Sequence, residues 1–197
     1  MLLEGNHEIL LNKYANDSSI TVKQFVCNLP DDSVLVNQAD KNNQNDLRSS
    51  MAKFANAEIL KPHTGNVLYY CDIAINILYS QEEYLPVNKF GNYNTASLVT
   101  QFVTADGTKI LVGADHPVNG TSGGYNWCEG ALYNWYGDFI QSYVVSTFHH
   151  GMGGGADNTV YGVIDPTVVL WCIDSYRIKY DEYGNQEQAP LRGGYAL

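Results

Sequence analysis

Short hydrophobic runs, separated by polar and glycine-containing segments, divide the 197-residue chain into strand-sized pieces. Alternation is clearest from Ile73 to Tyr79, where every second position is apolar. On this pattern, strands are predicted at 19–28, 67–70, 73–79, 97–104, 109–112, 143–148 and 167–172. The pair Asp106-Gly107 lies between two β-branched runs and predicts a hairpin that joins the strands on either side.

Apolar residues recur at helical spacing in three other segments. A helix is predicted from a cap at Asn45 or Asp46 to about Ala57, and the polar stretch 30–46 before it is predicted as a loop. Two further helices are predicted near 126–136 and between Asp157 and Pro166.

Strands and helices alternate from Lys109 onward, which favours a parallel stretch of sheet next to the antiparallel hairpin. The predicted fold class is therefore α/β, with a mixed β-sheet flanked by helices. The length fits a single domain over residues 1–197, in which the polar segment 179–197 is a tail.

Composition narrows the possible functions. The net charge is −10, and the eleven Lys and Arg residues are scattered, so no nucleic-acid-binding patch is expected. No apolar run reaches membrane length and the first residues do not resemble a signal peptide, so no membrane segment and a cytoplasmic location are expected. The four cysteines stand apart from one another and are predicted to be free thiols.

Two predicted strands end in side chains that bind metal ions. The strand 143–148 continues directly into His149 and His150 and then into a glycine-rich segment, and Asp115 follows the strand 109–112. Because the carboxyl ends of parallel strands open onto a shared crevice, these side chains are expected near one another. A carboxylate and an imidazole together suit zinc, manganese or iron.

The two histidines are not equivalent if the backbone stays extended through Phe148. Successive side chains then point to opposite sides, so only one of His149 and His150 binds the metal directly, and the other supports it or contacts the substrate. Structural interpretations compete with this one. Asp115 is also a suitable turn former close to a proline, and the histidine pair suits half-buried polar positions.

Three pieces of sequence between residues 58 and 172 occur together in one known family. Lys109–Asp115 is similar to a hydrophobic strand that ends in Thr-Gly-Asp, although Gly113-Ala114-Asp115 stands in place of those three residues. Tyr143–Gly151 is similar to a strand that ends in His-His-Gly, and Asn94–Val99 resembles a further strand start. The family is the metallo-β-lactamase fold, in the branch that includes domains of DNA-uptake competence proteins.

The resemblance implies a four-layer αββα sandwich, of which this chain contains the C-terminal half. It implies metal-dependent hydrolysis with two zinc or similar divalent ions as cofactor. Asp115 then bridges the metals, and His149 is the terminal ligand, with His150 as the alternative and as a catalytic candidate. A metal-bound water, whose pKa falls to about 7, attacks an ester, amide or phosphodiester in a small substrate.

The family's motif His-x-His-x-Asp-His does not occur in this sequence, where no two histidines are separated by a single residue. Since an open catalytic zinc site takes three protein ligands, the third must come from His63, His116 or a partner chain. The hypothesis is therefore the C-terminal part of a metal-dependent hydrolase, inactive alone, with a partner chain or dimer covering an exposed sheet face. The alternatives are a non-catalytic binding or structural module of the same fold with a degenerate metal site, and an unrelated α/β domain.

Overall fold

The computed structural model describes residues 7–80, 96–116, 136–148 and 158–170. The helices are α1 (His7–Ala15), α2 (Gln38–Met51) and α3 (Asn158–Ile164), with a 3₁₀ helix at Gly137–Ile140. The strands are β1 (Gln24–Val26), β2 (Glu58–Leu60), β3 (Val67–Tyr70), β4 (Ile73–Tyr79), β5 (Val99–Val103), β6 (Lys109–Val112), β7 (Val144–Ser146) and β8 (Val168–Leu170).

A six-stranded mixed sheet in the order β3-β4-β5-β6-β7-β8 forms the centre of the described structure. The first four strands form an antiparallel meander, and β6, β7 and β8 are parallel. The predicted hairpin is confirmed, since Val103 pairs with Lys109 across Asp106 and Gly107. The predicted parallel stretch after Lys109 is confirmed as well, and the chain has a mixed α and β fold.

The strand directions bring several chain segments together at one end of the sheet, where strands end or begin. We call this border the ligand edge; it runs across the strand ends and is distinct from the outer strands β3 and β8. Strands β4, β6, β7 and β8 run in the same direction and end there, whereas β3 and β5 begin there. The ligand edge therefore includes Ser80, the segment 96–98, the turn Gly113–His116, and Thr147 with Phe148.

The small parallel sheet of β1 and β2 is attached to the same edge. The Asn28 amide donates a 2.7 Å hydrogen bond to Ser80 Oγ, which donates in turn to the Pro62 carbonyl at 2.8 Å. Ser80 N–H also donates to Thr64 Oγ1 at 3.0 Å. These bonds satisfy polar groups that are buried between the two sheets.

The predicted loop over 30–46 is wrong in its second half, because α2 begins at Gln38 rather than at Asn45 or Asp46. Asn37 caps the helix, and its side-chain oxygen accepts from the Ala39 N–H at 2.9 Å. Gln44 is fully buried in this helix and donates to the Pro30 carbonyl at 2.6 Å. Tertiary hydrogen bonding thus outweighs the low helix propensity of an asparagine-rich stretch.

Strands β3, β4 and β6 match their predicted bounds, whereas β1, β5 and β7 are shorter than predicted. The predicted strand 167–172 extends beyond the described residues, which end at Leu170. In the predicted strand 143–148, ladder pairing ends at Ser146, and Phe148 already lies in a turn of 3₁₀ helix. The premise of extended backbone through Phe148 is therefore wrong, and alternation does not decide between His149 and His150.

The main hydrophobic core lies between the sheet, α3 and the 3₁₀ helix. Its fully buried members include Val99, Leu111, Val145, Phe148 and Ile164. A smaller cluster joins α1 and α2 to β1 through Leu11, Cys27, Leu47 and Met51. These two clusters bury the apolar side chains of the elements that line them, and this burial is a main source of stability for those elements.

Other features of the prediction are only partly covered by the described residues. Cys27, which is buried, and Cys71, which is exposed, are free thiols as predicted. Within the described ranges, no helix has both the length and the apolar character needed to cross a membrane. The predicted helix near 126–136 lies almost wholly outside the described residues, and the tail 179–197 lies entirely outside them.

Candidate functional site

Asp115 lies at the ligand edge, in a turn that follows β6 directly. His116 N–H donates to the Gly113 carbonyl at 3.1 Å and closes the turn around Ala114 and Asp115. Asp115 is half-buried, so its carboxylate is held at the edge of the fold and not within the core. This position agrees with the prediction that a carboxylate follows β6 at the end of the parallel strands.

The turn requires a left-handed backbone at a residue that is not glycine. Ala114 has a φ of 49°, a region that side chains with a Cβ rarely adopt. The preceding residue, Gly113, has a different constraint, because a Cβ built there would lie 2.1 Å from Phe148 Cδ1. Gly113 is therefore needed for a close approach between the turn and the end of β7.

Phe148 links the turn to the chain that leads into the histidine pair. Its side chain is fully buried, and its ring occupies the space that a side chain at position 113 would fill. The Phe148 N–H donates to Tyr161 Oη at 3.3 Å, and Thr147 N–H donates to the Leu170 carbonyl at 2.9 Å. Phe148 is thus held by the turn, α3 and β8 together.

His149 and His150, the predicted metal ligand and catalytic candidate, lie outside the described residues. The sequence places His149 one residue after Phe148, so it follows a well-anchored position at the ligand edge. Its role as a ligand stays a prediction, as does the choice between the two histidines.

The two other candidate histidines are placed differently. His116 is completely buried, and its ring meets the Tyr79 ring edge to face with centroids 4.5 Å apart. His63 is exposed in the turn before β3, where its backbone N–H donates to the Asn66 side chain at 2.9 Å. Among residues 7–80, 96–116, 136–148 and 158–170, no three His, Cys, Asp or Glu side chains are grouped closely enough to hold a metal ion.

Two polar residues at or next to the ligand edge were not predicted as site residues from the sequence. Ser97 is fully buried two residues before β5, and its Oγ has no hydrogen-bond partner among the described residues. Tyr161 on α3 supplies the phenol that binds the backbone before His149. Tyr161 fits an ordinary helix pattern in the sequence, so only the tertiary structure identifies it. Ser97 belongs to the segment Asn94–Val99 noted in the sequence, but its complete burial is visible only in the tertiary structure.

A second polar cluster supports the sheet at a distance from Asp115. Gln101 is fully buried and donates to Ser142 Oγ at 3.0 Å and to the Phe139 carbonyl at 3.1 Å. Its oxygen accepts from the Asn76 amide at 3.1 Å. Because these partners connect β4, β5 and the 3₁₀ helix, the cluster is a structural feature and not part of the candidate site.

The fold defines a protein of mixed α and β structure whose six-stranded sheet brings several strand ends and one half-buried carboxylate to a common edge. Comparison of the sequence with models of known protein families and with curated proteins gives no match.

Proposed function

We propose that this chain is the C-terminal part of a metal-dependent hydrolase with the metallo-β-lactamase fold, and that it has little or no activity alone. The observation that carries the proposal is the contact between the Asp115 turn and Phe148. A Cβ at Gly113 would overlap the Phe148 ring, so the turn and the residue before His149 are neighbours at the ligand edge. A carboxylate and a histidine are needed near one another for such a site.

The backbone of Ala114 also supports the resemblance. In the aligned motif Thr-Gly-Asp, the family has glycine at the position of Ala114. The φ of 49° at Ala114 is one that favours glycine, so this chain keeps a glycine-type turn without the glycine. A glycine at this position, as in the family's motif, would adopt the same backbone without strain.

The donor set in the described residues fits the proposed metal site only in part. Asp115 would bridge two zinc or similar divalent ions, and His149 would be a terminal ligand, with His150 as the alternative ligand or a contact to the substrate. The bound metal would supply an activated water for attack on an ester or phosphodiester. The remaining ligands would come from a His-x-His-x-Asp-His segment outside this sequence.

Exposed apolar side chains support a partner or a further chain segment in the complete protein. Ile59 on β2 is 65% exposed and Tyr69 on the edge strand β3 is 75% exposed. A sandwich completed by its other half would bury apolar surface of this kind. Size-exclusion chromatography with light scattering would show whether the chain associates with itself instead.

A non-catalytic binding or structural module is the second candidate, and the position of His116 favours it. This candidate third ligand is fully buried against Tyr79 and belongs to the core. If the site has decayed, Asp115 has no remaining function in metal binding. Substitution of Asp115 would then change neither the stability nor the binding of any ion.

Titration with Mn²⁺ separates the two candidates, because the paramagnetic ion broadens the NMR signals of nearby histidine rings even when binding is weak. We expect broadening of the His149 or His150 ring signals, and Asp115→Asn should raise the Mn²⁺ concentration needed for it by tenfold or more. Asp138→Asn is the matched control, because Asp138 is exposed on the 3₁₀ helix after β6. Equal midpoints for wild type and Asp115→Asn would exclude the metal site.

Hydrolysis is tested with a chromogenic phosphodiester and a chromogenic ester in the presence of Zn²⁺ or Mn²⁺. The chain alone should show no turnover above background. A longer protein that includes a His-x-His-x-Asp-His segment encoded upstream should be active, and Asp115→Asn should abolish that activity. Tight stoichiometric zinc binding with turnover by the chain alone would contradict the proposed dependence on a second half.

A further inference from the structure

An apolar cavity lies between α1, α2 and the chain segment that includes β1. Its volume is about 300 Å³, which is within the range of small-molecule binding sites. Leu11 and Tyr14 line it from α1, Leu47 and Met51 line it from α2, and the remaining wall is formed by residues between 20 and 29. Protein interiors contain few voids larger than a water molecule, so a space of this size is suited to a ligand.

The wall of this cavity offers no charge to a ligand. None of the described residues that line it is acidic or basic. Cys27 is 7% exposed, and burial raises the pKa of its thiol, so the thiol is uncharged at neutral pH. Arg48 on α2 is already held by Asp32 at 3.4 Å and by the Pro30 carbonyl at 3.1 Å. An ionised ligand would therefore lose its hydration without gaining a partner of opposite charge.

Gln24 gives the otherwise apolar wall a hydrogen-bonding group. Its side chain is half-buried, and its oxygen accepts a hydrogen bond from the Tyr70 hydroxyl of β3. Because this bond uses the oxygen, the amide nitrogen is the part of the side chain that can serve a ligand, and it is a donor. A ligand with one acceptor, such as a ketone oxygen, matches this group.

We propose that the cavity binds an uncharged, mainly apolar small molecule with a ring system and one hydrogen-bond acceptor. An apolar cavity of about 150 Å³ holds one benzene molecule, so twice that volume accommodates two fused rings. Phe25 supplies an aromatic wall, and its ring is fixed edge to face against Phe54 with centroids 5.4 Å apart at 73°. The cavity shares no residue with the Asp115 turn, so the proposal does not rest on the proposed function.

The test uses prodan, an uncharged naphthyl ketone whose fluorescence moves to shorter wavelength in apolar surroundings. We expect a saturable shift at micromolar protein, together with a change in the NMR signal of the Met51 methyl group, which is buried in the wall. Methyl naphthyl ketone should displace prodan. Naphthoate has a similar shape but carries a carboxylate, and it should bind at least about tenfold more weakly.

Two substitutions locate the binding, and the Tm of each variant shows that it is folded. Ile20 lines the cavity and is 38% exposed, so Ile20→Asp places a carboxylate at its mouth and should raise the Kd for prodan by about tenfold or more. Ile59→Asp is the matched control, because Ile59 is 65% exposed on β2 and does not line the cavity. Val22→Trp fills part of the space and should weaken binding to a similar extent.

Three results would overturn the proposal. Absence of saturable binding would show that the cavity holds no such molecule, and equal binding of naphthoate would show that it does not select for uncharged ligands. An unchanged Kd in Val22→Trp, or equal changes in Ile20→Asp and Ile59→Asp, would place the dye elsewhere on the protein.

Discussion

The close contact between Gly113 and Phe148 makes Gly113→Ala the sharpest test of this structure. The added Cβ would lie 2.1, 2.2 and 2.6 Å from three atoms of the Phe148 ring. Non-bonded carbon atoms prefer a separation of about 3.5 Å, so the ring would have to move by about 1.4 Å. The ring is fully buried and has Tyr161 at its edge, so it cannot turn away into solvent.

The expected loss of stability follows from this overlap. Insertion of extra atoms into a well-filled core costs typically about 1 to 3 kcal/mol. The added Cβ clashes with three atoms of a rigid ring and not with the end of a flexible side chain. We therefore expect the free energy of unfolding to fall by about 3 kcal/mol. For a chain of this size, such a loss lowers the Tm by about 6 to 12 °C. Gly113 has no positive φ, so the backbone itself tolerates alanine and the whole effect is steric.

Gly162→Ala is the matched control, since Gly162 lies in α3 with nothing within 4 Å of a Cβ at that position. Alanine in a helix is more favourable than glycine by about 0.5 to 1 kcal/mol, so this variant should be more stable than wild type. Urea unfolding followed by circular dichroism measures both variants. The double variant Gly113→Ala with Phe148→Leu should lose about 1 to 2 kcal/mol less in free energy of unfolding than the sum of the two single variants. A Gly113→Ala variant as stable as wild type would refute the close contact.

Three further substitutions test other parts of the fold by the same unfolding measurement. Cys71 has a φ of 54° in the turn between β3 and β4. Glycine adopts this backbone without strain, so Cys71→Gly should stabilise the protein by about 0.5 to 1 kcal/mol. A loss of stability would show that the turn is not strained. Asn37→Ala removes the cap of α2 and should cost about 1 kcal/mol, whereas no change would mean that the helix begins elsewhere. Gln101→Leu leaves Ser142 and the Asn76 amide without their buried partner and should cost about 2 to 3 kcal/mol; a neutral result would mean that water replaces the bonds.

The sequence predicted those strands that local signals define. Alternation from Ile73 to Tyr79 and the Asp106-Gly107 turn depend on neighbouring residues only, and the structure confirms both. The parallel arrangement of β6, β7 and β8 was predictable as well, because a helix between two strands returns the chain to the same end of the sheet.

The start of α2 could not be predicted in this way, because its stabilising contacts come from distant parts of the chain. Gln44 and Arg48 reach back to the Pro30 carbonyl, at 2.6 and 3.1 Å, and no local pattern shows these bonds. Tyr161 and Gly113 were missed for the same reason. Both residues contact Phe148, which is distant from each of them in the sequence.

The candidate site shows a further limit of reasoning from spacing. Leu111 pairs with Val145, and Asp115 and His149 each lie four residues beyond this pair. Equal spacing would place both side chains at the same height only if both segments stayed extended. The turn at Gly113–His116 and the 3₁₀ conformation of Phe148 show that neither does. The position of Asp115 therefore depends on the left-handed backbone of Ala114, whereas His149 lies outside the described residues. Spacing suggested the two ligands of the hypothesis, but spacing alone does not give the local backbone conformation that decides whether two side chains can share a metal ion.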